Sequence, residues 1–407
     1  MLCCWFFMSS QTNQHTRMLW LCGALHGFTH VYQVALLPLY LFIQKDLGLT
    51  SSGQATFLVT VMGLSFSLVS YPVGILADRL SRRMLLGVGL AVNGLAFIGL
   101  AYASSYPWAI AWCILAGLGG SCYHPAATAM LVDLFPTGAG KALGRVGMGA
   151  AIGFWAGPVY AGWRCDMSGW RAPVLELGLM GIGLAVIFAW LAPDVHSTGA
   201  RHETGIGSKP PVLTTRFWLV IVLISFFFSL RDFAGAGMGS LMSLFLQRAH
   251  KVNVETTGRM LGWMFLVAIL SNPLLGAWSD RFRLRLSGLV LVIAGAMVAL
   301  APWVSLSWIV LVLMLYGFFF LASHPIAEAA LMESVPERVR GRVFGLFVAI
   351  AGGISSLSHW AMGHWVNTLP NQQVSSYVPL FNTLTLSMTV ALAGLPCLRW
   401  IRKYSRS

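Results

Sequence analysis

The chain has 407 residues, of which 57% are hydrophobic and only 10% charged, and its mean hydropathy is +0.74. Soluble domains carry about 25% charged residues, so the composition excludes a water-soluble globular protein and places most of the surface against lipid. The formal charge of +13 would suit nucleic acid, but the placement of the basic residues between apolar runs excludes that reading.

A helix needs about 20 consecutive apolar residues to cross the hydrocarbon core. Twelve stretches qualify. In chain order they cover 18–43, 54–77, 82–103, 107–134, 141–163, 171–192, 216–246, 255–279, 284–303, 307–334, 339–366 and 377–399. The runs are long and do not alternate polar with apolar, which excludes β-barrel strands. Residues 193–215, with Gly205, Gly207, Pro210, Pro211 and several charges, read as a cytoplasmic linker between halves 1–192 and 216–407. The other connections are mostly short, so neighbouring helices form antiparallel hairpins. Nothing outside the membrane is long enough for a soluble domain. No nucleophile–base constellation or cofactor motif appears, so an enzyme is not expected.

With the N-terminus inside, the cytoplasmic segments take most of the 26 Lys and Arg, including Arg79, Arg82 and Arg83, then Arg281, Arg283 and Arg285, then Arg338, Arg340 and Arg342. Few fall outside, among them Lys45, Arg164 and Arg171. This asymmetry puts both termini in the cytoplasm. The basic surplus therefore reads as topology, with attraction to anionic lipid. The seven cysteines are scattered and show no metal-ligand spacing. The start lacks a charged region and a cleavage site, so no cleavable signal peptide is expected.

The chain repeats itself. Gly74-Ile-Leu-Ala-Asp78-Arg79 returns as Gly276-Ala-Trp-Ser-Asp280-Arg281, and His124-Pro125 returns as His324-Pro325. Each His-Pro pair is followed by Asp133 or Glu333, then Pro136 or Pro336. A duplicated, span-rich half marks a transporter built from two similar bundles. The expected fold is all-α and integral to the membrane, with twelve transmembrane helices in two pseudo-symmetric six-helix bundles.

The loop after the second span, Gly74 through Asp78, Arg79, Ser81, Arg82 and Arg83, resembles the signature loop of the major facilitator superfamily, with Ser81 in place of the usual second glycine. Gly74 permits close helix approach, and Asp78 at a helix end can pair with arginine or cap a neighbouring helix. The second copy keeps Gly276, Asp280 and Arg281. In the fifth span, Gly153, Gly157, Pro158 and Gly162 resemble the motif of the drug/proton antiporters of that superfamily, with Ala161 replacing one glycine. Physically, the glycines allow close packing and the proline kinks the helix. His26 together with Tyr123-His124-Pro125 is similar to the fosmidomycin-resistance type of exporter. Cys113 stands where many superfamily antiporters carry an arginine associated with proton transfer, so another group must help if protons are coupled.

Ionisable groups inside a bilayer are costly and are functional candidates by default. Asp232 is a candidate proton carrier. Arg231 is its counter-charge or a substrate-anion site, and a structural ion pair to another helix is the alternative. Adjacent helical residues point about 100° apart, so the two need not pair with each other. Glu328 lies four residues beyond His324, a spacing that lets the two hydrogen-bond as a second proton site. His26 and His30 share a face of the first span for the same reason. His30 and His124 join the proton-coupling candidates because imidazole titrates near neutrality. His124 has a structural alternative, a bond to a carbonyl freed by Pro125. Asp133 and Glu333 are expected to gate the cytoplasmic end by pairing with the arginine loops. Arg231, His26, Gln33, Tyr40, Trp155, Tyr160, Phe227 and Phe228 are the expected lining of an amphipathic cavity.

The resemblance and these residues imply a monomeric permease of bacterial inner-membrane type. Its expected activity is proton-coupled efflux of a small amphipathic organic compound by alternating access. The proton gradient would supply the energy, with no cofactor and no metal. The expected partners are substrate, protons and the bilayer. The alternatives are a proton-coupled uptake symporter for an organic anion and a non-transporting receptor or assembly factor.

Overall fold

The computed structural model describes residues 2–77, 79–136, 138–193, 215–336 and 339–404, apart from the side chains of 2–12, 280, 281, 341 and 402–404. No strand occurs among these residues. The first half contains α1 Leu2–Val34, α2 Tyr40–Asp46, α3 Ser52–Ala77, α4 Arg82–Ala101, α5 Tyr106–Ser121, α6 Tyr123–Leu134, α7 Ala139–Ser168 and α8 Arg171–Leu191. The second contains α9 Thr215–Arg248, α10 Val254–Leu266, α11 Ala268–Leu300, α12 Leu306–Ser334, α13 Arg340–Asn367, α14 Val374–Ala391 and α15 Gly394–Tyr404. Nearly all of the 193–215 linker, and with it the test of where the halves divide, lies outside the described residues.

Nine helical segments among the described residues are long and apolar enough to cross a bilayer, and they match the second, third and sixth to twelfth expected spans. The elements at the other three positions are more polar or interrupted. α1 carries a polar stretch over residues 9–17, α5 and α6 are separated at Cys122, and α7 carries Lys141, Arg145 and Arg164 among its glycines. Four spans differ from the uninterrupted runs expected, the eighth by a break at Val267 between α10 and α11. The first ends at Val34, and residues 37–39 form a 3-10 turn before α2. Pro38 has no N–H to continue the ladder and restricts the residue before it. The fourth is divided between α5 and α6, and the last between α14 and α15.

Local chemistry sets the ends. Ser81 accepts a hydrogen bond from the Met84 amide as the N-cap of α4, a role the usual glycine of this loop cannot fill. Asn253 caps α10 in the same way through the Thr256 amide. Gly138 and Gly169, at the two ends of α7, take φ of 116° and 77°, which a side chain would disfavour. The turn between the eighth and ninth spans is made at Phe282, whose φ of −137° and ψ of 38° break the path of α11.

The internal repeat reappears as a repeat of helix pairings. In the first half α1 packs on α7, α4 on α8, and α3 on α5; in the second, α9 packs on α13, α11 on α14, and α10 on α12. The two extensive pairings that cross between halves are α3 with α13 and α7 with α10. Lipid supplies no hydrophobic drive between helices, so close backbone approach has to hold these pairs. α1 and α7 meet through Gly23 and Gly27 against Gly149 and Gly153, where a Cβ on either α7 glycine would collide with an α1 carbonyl. α7 and α10 meet through Gly162 and Gly258; a Cβ on Gly162 would lie 2.6 Å from the Val254 carbonyl oxygen. The antiporter-like motif is thus shared out. Gly153 and Gly157 serve contacts with α1 inside one half, whereas Gly162 and the Pro158 carbonyl face α10 across the seam. Gly74 differs from expectation. The nearest neighbour to a Cβ there is Pro125 at 3.9 Å, so no close approach depends on it.

Gly153→Val is expected to cost about 1–3 kcal/mol through overpacking. Gly144→Ala, on the same helix with nothing within 4 Å, should stay within about 1 kcal/mol of the parent, on the stabilising side. Thermal unfolding of both variants in detergent checks the contrast.

Candidate functional site

One end of the molecule carries the arginine loops, and the opposite end carries the turns at 47–51, 103–105, 169–170, 249–253 and 368–373. At that opposite end hydrogen bonds tie the halves together. Ser52 Oγ donates to the Gly363 carbonyl at 2.8 Å, Ser243 Oγ to the Leu37 carbonyl at 2.6 Å, and Gln247 to the Pro38 carbonyl at 3.0 Å. Arg248 donates to Gln44 at 3.0 Å, and the Trp360 amide donates to Thr60 at 3.0 Å.

Beneath this seal lies a cavity of about 350 Å³ between the halves. Its walls are largely apolar, with Phe66, Phe154, Phe265 and Phe320 prominent. The polar groups are few: Thr29, Tyr32 and Gln33 from α1, Ser67 from α3, Asn93 from α4, Asp232 from α9, His324 from α12, and Ser355, Ser356 and His359 from α13. Among the described lining residues Asp232 is the one carboxylate, and neither Lys nor Arg faces the space. A concave, mostly apolar site with a small set of converging polar groups is the usual form of a small-molecule pocket.

Asp232 belongs to a charged node in the second half. Arg231 Nε donates to Asp232 Oδ1 at 2.7 Å, so the adjacent residues do pair, because the long arginine side chain folds back along the helix. The guanidinium also donates to the Ser323 carbonyl at 3.2 Å and to His324 Nδ1 at 3.2 Å, and lies 5.5 Å from the Phe228 ring centre. Because Nδ1 accepts from a permanent donor, His324 is neutral here and carries its proton on Nε2. Arg231 is 1% exposed. It braces the carboxylate from behind and does not line the cavity, so the expected anion site is not formed. The expected His324–Glu328 hydrogen bond is absent as well. The charged guanidinium is the stronger partner and takes the imidazole, leaving Glu328 without a hydrogen bond to the described residues and away from the cavity lining.

A second cluster occupies the first half. His26, His30 and His124 converge, with His26 stacked on Tyr123 and His30 stacked on Phe154. None of the three lines the cavity, which corrects the placement of His26. Among the described residues His124 makes no hydrogen bond to a carbonyl freed by Pro125.

Five other expected lining residues also lie elsewhere. Tyr40 is sealed at the closed end, where its hydroxyl meets Ser240 Oγ at 2.8 Å; Ser240 in turn contacts His359 Nδ1 at 2.7 Å. The break before α2 carries Tyr40 out of the span. Trp155 fills the seam against Gly262, and Phe227 and Phe228 pack on Gly394 of α15. Tyr160 donates to Glu176 at 2.7 Å within the first half. Gln33 is where it was expected. His359 and Asn93 were missed, although both are polar residues inside apolar runs, the signal used for the other candidates.

At the arginine-rich end the repeat is visible in ion pairs. Arg82 pairs with Asp133 at 2.5 Å, and Arg283 pairs with Glu333 at 2.9 Å. Each pair lies within one half, joining α4 to α6 and α11 to α12. Arg83 donates to the Ala189 carbonyl at 2.6 Å. Asp78 lies outside the described residues, as do the side chains of Asp280 and Arg281.

Residues 19–359 match the model of the Major Facilitator Superfamily. The chain belongs to that superfamily. It is therefore a multi-span membrane transporter. Among curated relatives it is similar to the multidrug resistance protein MdtH of Proteus mirabilis (strain HI4320), 26% identical over 322 residues and covering 76% of each chain. It is also similar to the quinolone resistance protein NorA of Staphylococcus aureus (strain N315), 28% identical over 223 residues, which spans about half of each chain, 54% of this one and 55% of NorA. The fold matches a bacterial homologue of the human lysosomal transporter Spinster in an inward-facing, occupied conformation. The TM-score is 0.75 at 17% identity, covering 96% of this chain and 97% of that one.

Arg231→Leu strands the Asp232 carboxylate and is expected to cost about 3–5 kcal/mol, whereas Arg231→Leu with Asp232→Leu should recover most of that loss. Thermal unfolding of the two purified proteins provides the comparison.

Proposed function

We propose that this major facilitator protein exports small, amphipathic compounds, cationic or neutral, in exchange for protons. The observation that carries the reading is a single carboxylate, Asp232, set in an otherwise aromatic and uncharged cavity. The curated names of two relatives, a multidrug and a quinolone resistance protein, support efflux. Burial of Arg231 favours this over uptake of an organic anion, because neither Lys nor Arg stands among the described lining residues.

The coupling follows from charge. With Asp232 ionised, the node is neutral overall and its carboxylate attracts a cationic substrate. A proton on Asp232 removes the counter-charge of Arg231, and the uncovered guanidinium then repels that substrate. Proton and substrate thus oppose each other at one group, and each lowers the affinity for the other by the same factor. Alternating access follows if the two occupancies prefer different arrangements of the halves. The protein would sit in a bacterial inner membrane as a monomer, with both termini and the arginine loops in the cytoplasm and the sealed end outside. The cavity would then exchange with the cytoplasmic side. His324, His30, His124 and Glu328 remain secondary proton-coupling candidates; His324 touches the carboxylate's partner directly. Asp78, Asp133, Asp280 and Glu333, with their arginines, would govern the cytoplasmic end.

Inside-out vesicles with an acidic interior provide the test. A panel of lipophilic cations should dissipate the gradient in the parent protein. Asp232→Asn should reduce that response at least tenfold while still binding neutral lipophilic compounds. Full gradient dissipation in correctly folded Asp232→Asn protein would remove Asp232 from the mechanism.

A further inference from the structure

The histidine cluster of the first half has an arrangement of hydrogen bonds that coupling at Asp232 does not require. His26 and His30 are one turn apart on α1, and His124 reaches them from α6. The candidate ligand nitrogens of all three lie within 4.8 Å of one another. Each α1 imidazole is held from behind by an acceptor. His26 Nδ1 faces the Val146 carbonyl of α7 at 3.0 Å, and His30 Nδ1 faces Gln33 Oε1 at 2.8 Å. A carbonyl oxygen only accepts, so both Nδ1 atoms carry the protons and both rings are the Nδ1–H tautomer when neutral. Their Nε2 atoms then present lone pairs to each other, 3.1 Å apart. Two facing lone pairs repel unless a cation lies between them.

We propose that His26, His30 and His124 form a site for a late first-row divalent cation such as Zn²⁺. Imidazole nitrogens bind Zn²⁺ at about 2.0–2.1 Å, which places two tetrahedral ligands about 3.3 Å apart, close to the spacing of the two α1 nitrogens. The acceptors behind the rings are the usual outer shell of a metal-binding histidine; they fix the tautomer and raise ligand basicity. A proton would satisfy only two of the three nitrogens. His124 makes no hydrogen bond with the described residues, so its ring nitrogens remain available to complete the set. Three neutral imidazoles leave a fourth position for water or an anionic donor. His30 is buried, whereas His26 and His124 are partly exposed. The i,i+4 pair on α1 is visible in the sequence, whereas the third ligand comes from a helix almost 100 residues away, so no ligand spacing betrays the site.

The experiment uses the full chain, purified without a histidine tag, treated with chelator and titrated with Co²⁺. One equivalent should bind with the intense visible absorption of tetrahedral cobalt and be displaced by Zn²⁺. His30→Asn and His124→Asn should each weaken binding at least tenfold, and Gln33→Leu, which removes only the outer-shell acceptor, about tenfold. The zinc-loaded parent should give a zinc-edge X-ray absorption spectrum fitted by three imidazole nitrogens, a readout that needs no variant to fold. Absence of the cobalt band in the parent protein, binding unchanged in both histidine variants, or a spectrum requiring fewer than three imidazoles would overturn the assignment. None of these readouts depends on efflux or on Asp232.

Discussion

The architecture depends on one constraint: inside lipid, helices gain nothing from hiding apolar side chains from one another, so they must meet through backbone and small residues. Gly149 and Gly153 against Gly23 and Gly27 bring α1 and α7 into contact in the first half. Gly117 does the same for α5 against the Met62 carbonyl of α3, and Gly317 for α12 against the Met264 carbonyl of α10. These last two pairs occupy equivalent places in the two halves. The cavity is what remains where larger side chains keep the central helices apart, and its aromatic walls follow from that division of labour.

Charge is the second determinant, and it is placed sparingly. Arg231 is almost fully buried, yet three partners and a ring face surround it, so its donors are met by acceptors rather than lipid. The cost of a guanidinium at this depth is offset locally, and the carboxylate beside it is turned toward the cavity. The halves therefore differ in character. The second presents an ion pair to the shared space, while the first gathers neutral imidazoles behind its wall.

Much of this was legible in the sequence. Long apolar runs gave the helices, and the duplicated Gly-Asp-Arg and His-Pro words foretold the repeated pairings. Asp133 and Glu333 were read as partners of the arginine loops, and each has an arginine at hydrogen-bonding distance. The side chains that failed did so for physical reasons. Tyr40 lies outside the cavity because the turn at Leu37–Leu39, with Pro38, ends the first helical run inside the expected span 18–43. Phe227 and Phe228 were placed by their apolar context, which cannot say whether a ring faces a void or a neighbouring helix. Glu328 was paired with His324 by spacing along one helix, but a charged donor on another helix took the imidazole. Local periodicity reports which residues share a face; it does not report what stands opposite.

The paired ions at the arginine-rich end have a mechanical consequence. Arg82–Asp133 and Arg283–Glu333 each fasten two helices of the same half, and neither spans the seam. When the halves rotate past one another, both pairs travel with their own bundle and neither is broken. They act as struts that stiffen two levers rather than as a bolt between them. Rocking at that end therefore ruptures neither of these two pairs, and the hydrogen bonds of the opposite end and the occupant of the cavity contribute to the energetic difference between the two arrangements.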